Sequence, residues 1–125
     1  MDVPIPEYNL CRTLTWTSKE LRDFIAANDA TDKPLAIRHD PFESSRQWTG
    51  CFFGVATLPA GAHFLTYGIV LEILQGLFTY LLRGRRFREA VFEVKNDRFG
   101  TVRTVGVGKI TPGRPDFNAI AETQA

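Results

Sequence analysis

Cysteine is scarce in this sequence, and its spacing excludes several classes of site. The 125 residues contain two cysteines, Cys11 and Cys51, which lie 40 positions apart. This separation excludes a CxxC redox pair and a zinc site built from clustered thiolates. Two alternatives remain for the pair. One disulfide would suit an exported chain and stabilise it by about 4 kcal/mol, whereas two buried thiols are usual inside cells.

Complete catalytic and cofactor motifs are also missing. Gly106-Val107-Gly108-Lys109 has neither the glycine spacing nor the following helix of a phosphate-binding loop. Ser44 and Ser45 lack the strand-turn-helix setting of a hydrolase nucleophile. The stretch Gly50–Val55 lacks the basic residues and spaced aromatics with which RNA-recognition domains stack bases. We therefore expect no cofactor and favour no nucleic-acid partner.

The first residues give no sign of export. Met1 to Glu7 has neither a basic start nor an apolar run, so this segment is not a signal peptide. A secreted protein would then begin here at a cleavage point. The alternative localisation is cytoplasmic.

Composition predicts one globular domain with an uneven charge distribution. At 125 residues and 44% hydrophobic content the chain can bury one core, which excludes a multidomain or wholly disordered protein. Fifteen basic and 14 acidic residues give a net charge of +1. Residues 1–43 hold five basic and eight acidic side chains, a local −3, whereas residues 83–114 hold nine and three, a local +6. The neutral total therefore conceals a basic region.

Hydrophobic patterns predict the elements of the first half. Asn9–Trp16 is rich in strand-forming residues and predicts a strand, with Leu10, Arg12, Leu14 and Trp16 on one face and Cys11 and Thr13 on the other. Thr17 and Glu20 have the spacing of a capping box and predict a short helix up to residue 28. Leu35–His39 predicts a brief strand, followed by a loop that reaches residue 50. Cys51–Leu58 is apolar almost throughout and predicts a central strand.

The segment Phe64–Arg83 carries the strongest helical pattern, and Gly84 provides its stop. A membrane span is one alternative, because Glu72 is the single charge before Arg83 and further arginines follow. Glu72 and Gln75 lie opposite the apolar side, which favours a helix packed on the protein. The apolar stripe comprises Ile69, Val70, Ile73, Leu74, Leu77, Phe78 and Leu81.

A β-hairpin is predicted next, from Arg88–Lys95 and Thr101–Ile110 with turn residues between them. Gly106 and Gly108 in its second arm predict a bulge or the close approach of another segment. Residues 111–125 are predicted to be a loosely ordered tail after a single domain of residues 1–110.

The predicted fold is an α+β sandwich with the order β-α-β-β-α-β-β. Two helices cover one face of an antiparallel sheet of about five strands, as in a split βαβ or ferredoxin-like sandwich. The strands that carry Cys11 and Cys51 are neighbours in that arrangement. This gives the disulfide a geometric rationale.

Four arginines form the main charge anomaly: Arg83, Arg85, Arg86 and Arg88. Guanidinium groups at one edge would bind phosphate, sulfated sugar or carboxylate groups. The alternative is a solvated helix terminus, because cations complement the dipole at a helix C-terminus.

The two histidines are the candidates for acid–base catalysis, because imidazole titrates near neutral pH. His39, Asp40 and His63 are predicted at strand ends or loops, as is Glu43. They would converge at one end of the sheet as an acid–base site or a His–carboxylate metal site, although their spacing demands neither. The alternative is that both histidines are surface or structural residues.

From residue 51 to residue 110 the sequence resembles a known class of proteins. A cysteine opens an apolar strand (Cys51-Phe52-Phe53-Gly54-Val55), a helix begins near Thr66-Tyr67-Gly68, and glycines mark the final strand (Gly100-Thr101-Val102, then Val105-Gly106-Val107-Gly108). This pattern is similar to small secreted fungal proteins of the necrosis-inducing effector and killer-toxin-like class. The resemblance implies an exported α+β protein that binds a target without cofactor or catalytic residues.

Two functional hypotheses follow. The first is a small secreted binding protein of effector or toxin type, whose partner is a protein or anionic target on a host or competitor cell and contacts Arg83–Arg88. The second is a cofactor-independent isomerase, cyclase or lyase, which acts on a small molecule in a pocket between the sheet and the long helix. A homo-oligomer joined through the edge near Gly106 or the long helix is a third hypothesis.

Overall fold

The computed structural model of the protein describes residues 3–59, 62, 64–96 and 101–113. These residues form two helical segments and a four-stranded antiparallel sheet, so the α+β class is confirmed, with four strands where about five were predicted. The elements in chain order are α1 (Glu7–Asn28), a 3-10 turn (Ile37–His39), β1 (Phe42–Glu43), β2 (Phe52–Thr57), α2 (Tyr67–Leu77), a π-helical continuation of α2 (Phe78–Arg83), β3 (Ala90–Asn96) and β4 (Arg103–Thr111).

The N-terminal segment is one long helix, and the predicted strand Asn9–Trp16 is wrong. Leu10 and Leu14 lie four positions apart, a spacing that puts two residues on one side of either a strand or a helix. The buried residues Thr13 and Thr17 continue the three-and-four spacing of a helix. Thr17, predicted as a helix cap, therefore lies in the middle of α1 and is 2% exposed.

The predicted disulfide is also wrong, because the two cysteines are free. Thr13 is the α1 residue that faces Cys51, and its hydroxyl donates to the Cys51 carbonyl oxygen at 3.3 Å. Cys11 lies two positions before Thr13, which is about 200° around a helix, so it is exposed on the far side of α1.

The predicted strand Leu35–His39 is replaced by a single bridge and a 3-10 turn. Pro34 pairs with Thr66, and the Leu35 N–H donates to the Leu65 carbonyl oxygen at 2.9 Å. The chain then turns at Ile37–His39. The predicted loop that follows contains the two-residue strand β1. This path leaves His39 beside the helices and outside the sheet.

The sheet has the order β1-β2-β4-β3, which is not the ferredoxin-like order because the first predicted strand is a helix. β2 is central, as predicted, and all six of its residues are buried. It pairs with β4 from Phe52 opposite Thr111 to Thr57 opposite Gly106. Phe53 of β2 joins a core with residues of both helices, whereas Phe52 and Ala56 form a separate small cluster.

The long helix α2 begins where the sequence predicts a helix near Thr66. The Thr66 hydroxyl accepts the N–H of Ile69 at 3.2 Å, which caps the first turn. Val70, Leu74 and Leu81 of the predicted stripe are buried. Across the described ranges, none of the helices has both the length and the apolar character that a bilayer crossing demands.

The C-terminal hairpin is confirmed, together with the close approach predicted at its glycines. A Cβ atom added to Gly108 would lie 2.2 Å from the Phe92 ring. The pairing of β3 with β4 shifts register between Val94 and Lys95, as at a bulge. β4 ends at Thr111, one residue beyond the predicted domain. The turn at residues 97–100 and the predicted tail from residue 114 lie outside the described residues.

Candidate functional site

The best candidate site is a cavity of about 310 Å³, which we call the His39 cavity. Its walls come from α1, from the segment that contains the 3-10 turn and β1, and from the first residue of α2. This volume lies at the small end of the range for small-molecule sites. The lining residues are Glu20, Leu21, Phe24, Arg38, His39, Pro41, Phe42, Glu43 and Tyr67.

Tyr67 holds His39 in place. Its hydroxyl lies 2.7 Å from Nδ1 of His39 and also accepts the N–H of Ala36 at 3.1 Å. The ring of Phe24 contacts both side chains, with its centroid 4.8 Å from that of Tyr67 and 5.5 Å from that of His39. His39 is thus fixed from two sides, by a hydrogen bond and by aromatic contacts.

The hydrogen bonds of Tyr67 assign the tautomer of His39. A hydroxyl has one proton to donate, and the acceptor that the described residues provide is Nδ1 of His39. Because Tyr67 is only 4% exposed, leaving that proton without an acceptor would be costly. We therefore assign the O–H of Tyr67 as donor to Nδ1. The proton of the neutral imidazole then lies on Nε2, the remaining polar atom of the ring.

Electrostatics favour the neutral form of this imidazole. Burial lowers the pKa of His39 below its ordinary value of 6.5, and the positive charge of Arg38 lowers it further. His39 is therefore neutral at pH 7. A neutral imidazole N–H is a hydrogen-bond donor suited to an oxygen on which negative charge develops.

The remaining lining residues supply charge and apolar surface. Glu20 of α1 and Glu43 of β1 bring carboxylates, and Arg38 brings a guanidinium group. Phe24 and Phe42 provide apolar walls. The cavity thus combines a fixed N–H donor, candidate bases and a cation, which are the components of proton-transfer sites.

Two residues of the predicted acid–base site lie together in the structure. His39 and Glu43 line the same cavity. Asp40 does not line it, because its carboxylate accepts the N–H of Thr57 at 3.0 Å and so contacts the end of β2. His63 lies outside the described residues, so its predicted role stays a prediction.

Sequence reasoning missed Glu20, Phe24 and Tyr67. Glu20 and Phe24 are four residues apart and therefore share a face of α1, but the capping-box interpretation assigned Glu20 to a helix start. Tyr67 follows the helix cap Thr66 directly. A hydroxyl-bearing aromatic at the start of a helix that must pack on the sheet was the available signal for a buried polar group.

The predicted arginine cluster is exposed, and three of its side chains stack on separate aromatic rings. Arg86 lies 4.3 Å from the centroid of Tyr80 and donates to the Tyr80 carbonyl oxygen at 2.9 Å. The other two contacts are Arg85 over Phe87 at 5.5 Å and Arg83 over Phe78 at 5.9 Å. Arg88 forms a backbone bridge with Pro4. The stacking holds these guanidinium groups near the protein surface while leaving them accessible.

Within the described part of the chain, no group of three or more His, Cys, Asp or Glu side chains is placed to hold a metal ion. Comparison of the chain with protein-family models, with curated proteins and with solved structures found no match. The resemblance to effector and killer-toxin-like proteins therefore stays a prediction.

Proposed function

We propose that the protein is a cofactor-independent enzyme that transfers a proton on a small carbonyl compound in the His39 cavity. The observation that supports this most strongly is the 2.7 Å hydrogen bond between the Tyr67 hydroxyl and Nδ1 of His39, which leaves Nε2 as the ring nitrogen without a partner among the described residues. A donor fixed before the substrate arrives stabilises a developing oxyanion without reorganisation.

The chemistry begins with a carboxylate, that of Glu20 or Glu43, which removes a proton from the carbon next to the carbonyl group. The C–H electron pair becomes a C=C bond, and the carbonyl π pair moves onto oxygen, which accepts a hydrogen bond from Nε2–H. Return of the proton to a different carbon or face gives an isomer. Departure of a β-leaving group with its electron pair gives a lyase product.

The test is deuterium exchange into a panel of small keto acids and keto esters in D₂O, followed by NMR. We expect exchange above the buffer rate for at least one compound. His39→Gln and one of Glu20→Gln or Glu43→Gln should abolish it. Glu72→Gln, an exposed position of α2 outside this cavity, is the matched control and should retain it. Absence of enzyme-dependent exchange across the panel would contradict the proposal.

A second candidate function is binding of an anionic target by the arginine cluster. The observation that favours it is the exposure of Arg83, Arg85, Arg86 and Arg88, three of which lie over aromatic rings. Pre-positioned guanidinium groups lose less freedom when they bind phosphate or sulfate oxygens. An exported, effector-like role would require such a target on another cell. The disulfide that would have favoured export is not formed, because both cysteines are free.

Titration with a sulfated oligosaccharide tests this second function. The double variant Arg85→Ala/Arg86→Ala should bind at least about tenfold more weakly, because hydrogen bonds to charged groups contribute about 1.5–3 kcal/mol. The control Arg46→Ala removes an exposed arginine elsewhere in the chain and should leave binding unchanged. Equal losses in both variants would show that net charge alone drives binding.

A further inference from the structure

A second cavity, of about 320 Å³, lies between α1 and the end of α2, and we call it the Arg22–Arg83 cavity. It shares no lining residue with the His39 cavity. Its polar lining consists of hydroxyl groups, one amide and two guanidinium groups, with no carboxylate. The lining residues are Leu14, Thr15, Ser18 and Arg22 of α1, with Gln75, Phe78, Thr79 and Arg83 from α2 and its continuation.

The two guanidinium groups of this cavity have no carboxylate partner among the described residues. Across the described residues, neither Arg22 nor Arg83 forms an ion pair with a carboxylate. The carboxylate of Asp23, next to Arg22 in the sequence, pairs with Lys19 at 3.0 Å. Two cations that line one cavity without an acid repel each other, and a bound anion removes that repulsion.

The cavity also has an apolar side. Leu14 is fully buried, and the centroid of the Phe78 ring lies 5.9 Å from the guanidinium carbon of Arg83. Phe78 is also the residue at which the backbone changes from α-helix to π-helix. π-Helical turns are rare, and they occur frequently at functional sites.

We propose that the Arg22–Arg83 cavity binds a small organic anion, in which a phosphate or carboxylate group is attached to an apolar ring or short chain. Arg22 and Arg83 hold the anionic oxygens through charge-assisted hydrogen bonds. The hydroxyl groups of Ser18 and Thr79 complete the polar contacts. Phe78 contacts the apolar part of the ligand.

Calorimetric titration at low salt with phenyl phosphate, benzoate and phenol tests this site. At least one of the two anions should bind, and phenol, which has the ring without the charge, should not. The two anions together distinguish a phosphate site from a carboxylate site. Arg22→Ala and Arg83→Ala should each weaken anion binding about tenfold or more, because each removes a charged hydrogen-bond donor.

Arg46→Ala is the matched control, because Arg46 is exposed but does not line the cavity. It should leave anion binding unchanged, as should His39→Gln, which separates this site from the proposed enzyme. If an alanine variant does not fold, Arg22→Lys and Arg83→Lys provide the test. Each keeps the positive charge but removes the bidentate guanidinium group, so the affinity for the anion should still fall several-fold. Binding of both anions no tighter than phenol, or an equal loss in Arg46→Ala, would overturn the proposal.

Discussion

Gly108→Ala is predicted to destabilise the protein strongly, because the ring of Phe92 occupies the space that a side chain would need. An added Cβ would lie 2.2 and 2.3 Å from two ring carbons of Phe92 and 2.9 Å from the carbonyl oxygen of Gly54. The backbone of β2 limits any escape in that direction. The ring of Phe92 must therefore move, although it stacks on Phe53 with centroids 6.3 Å apart and planes inclined by 14°.

Two costs add in this variant. Overpacking of a well-packed region costs about 1–3 kcal/mol, and loss of an aromatic pair costs about 0.5–1.5 kcal/mol. We expect the free energy of unfolding of Gly108→Ala to fall by roughly 2–4 kcal/mol. Gly76→Ala is the control, because the position is in an exposed part of α2. Apart from its chain neighbours and the adjacent helix backbone, no atom of the described residues lies within 4 Å of the added Cβ. It should stabilise the protein by about 1 kcal/mol, because alanine is the better helix former.

Urea unfolding followed by circular dichroism measures both variants. A double-mutant cycle with Phe92→Ala isolates the clash with the ring, because removal of the ring should lower the cost of Gly108→Ala by about 1 kcal/mol or more, while the contact with the Gly54 carbonyl oxygen remains. Wild-type stability of Gly108→Ala would show that the ring of Phe92 does not block a side chain at this position. The same conclusion would follow if Gly108→Ala lowered the free energy of unfolding equally in the wild type and in Phe92→Ala.

Three further predictions concern the cysteines, His39 and the cap of α2. Cys11 is exposed and should react with a thiol reagent in the native protein. Burial raises the pKa of Cys51 to about 11 and should prevent its reaction until the protein unfolds. Labelling of both thiols at the same rate would contradict this prediction. Because the pKa of His39 is lowered by folding, the unfolded chain binds its proton more readily, so stability should be full above about pH 6.5 and fall below it. His39→Gln should reduce this fall in urea titrations at several pH values, and an identical pH profile would exclude the effect. Thr66→Ala removes the hydroxyl that caps Ile69 and should cost about 1 kcal/mol in thermal unfolding, and an unchanged midpoint would argue against the cap.

The sequence predicted α2 and β2 correctly, because a single pattern fitted each of these segments. The stripe of α2 repeats over four turns, and no strand pattern fits residues such as Val70 and Leu74 with their neighbours. The apolar run at β2 was too short for a helix and too apolar for an edge strand. At α1 two periods competed, because the spacing from Leu10 to Leu14 fits both. The polar but buried Thr13 and Thr17 decided between them, and their burial follows from the packing of α1 on the rest of the fold.

The candidate site was predictable only in part, because its residues come from segments that are distant in the sequence. His39 was identifiable because histidine is rare and titrates near neutral pH. Tyr67 and Glu20 come from two helices, and only the packing of α1 beside the start of α2 brings them to His39. Asp40 follows His39 in the chain, yet its carboxylate is used by the N–H of Thr57. Neighbours in sequence were therefore a poor guide to neighbours in the site.

The proposed chemistry requires that His39 is neutral and carries its proton on Nε2, with Nδ1 accepting from Tyr67. A long-range ¹H–¹⁵N correlation spectrum at pH 7, assigned with His63→Gln, measures this directly. We predict ¹⁵N shifts of a neutral imidazole with a protonated Nε2 and a hydrogen-bonded, unprotonated Nδ1, and loss of that preference in Tyr67→Phe. An imidazolium at pH 7, or a proton on Nδ1, would contradict this tautomer assignment.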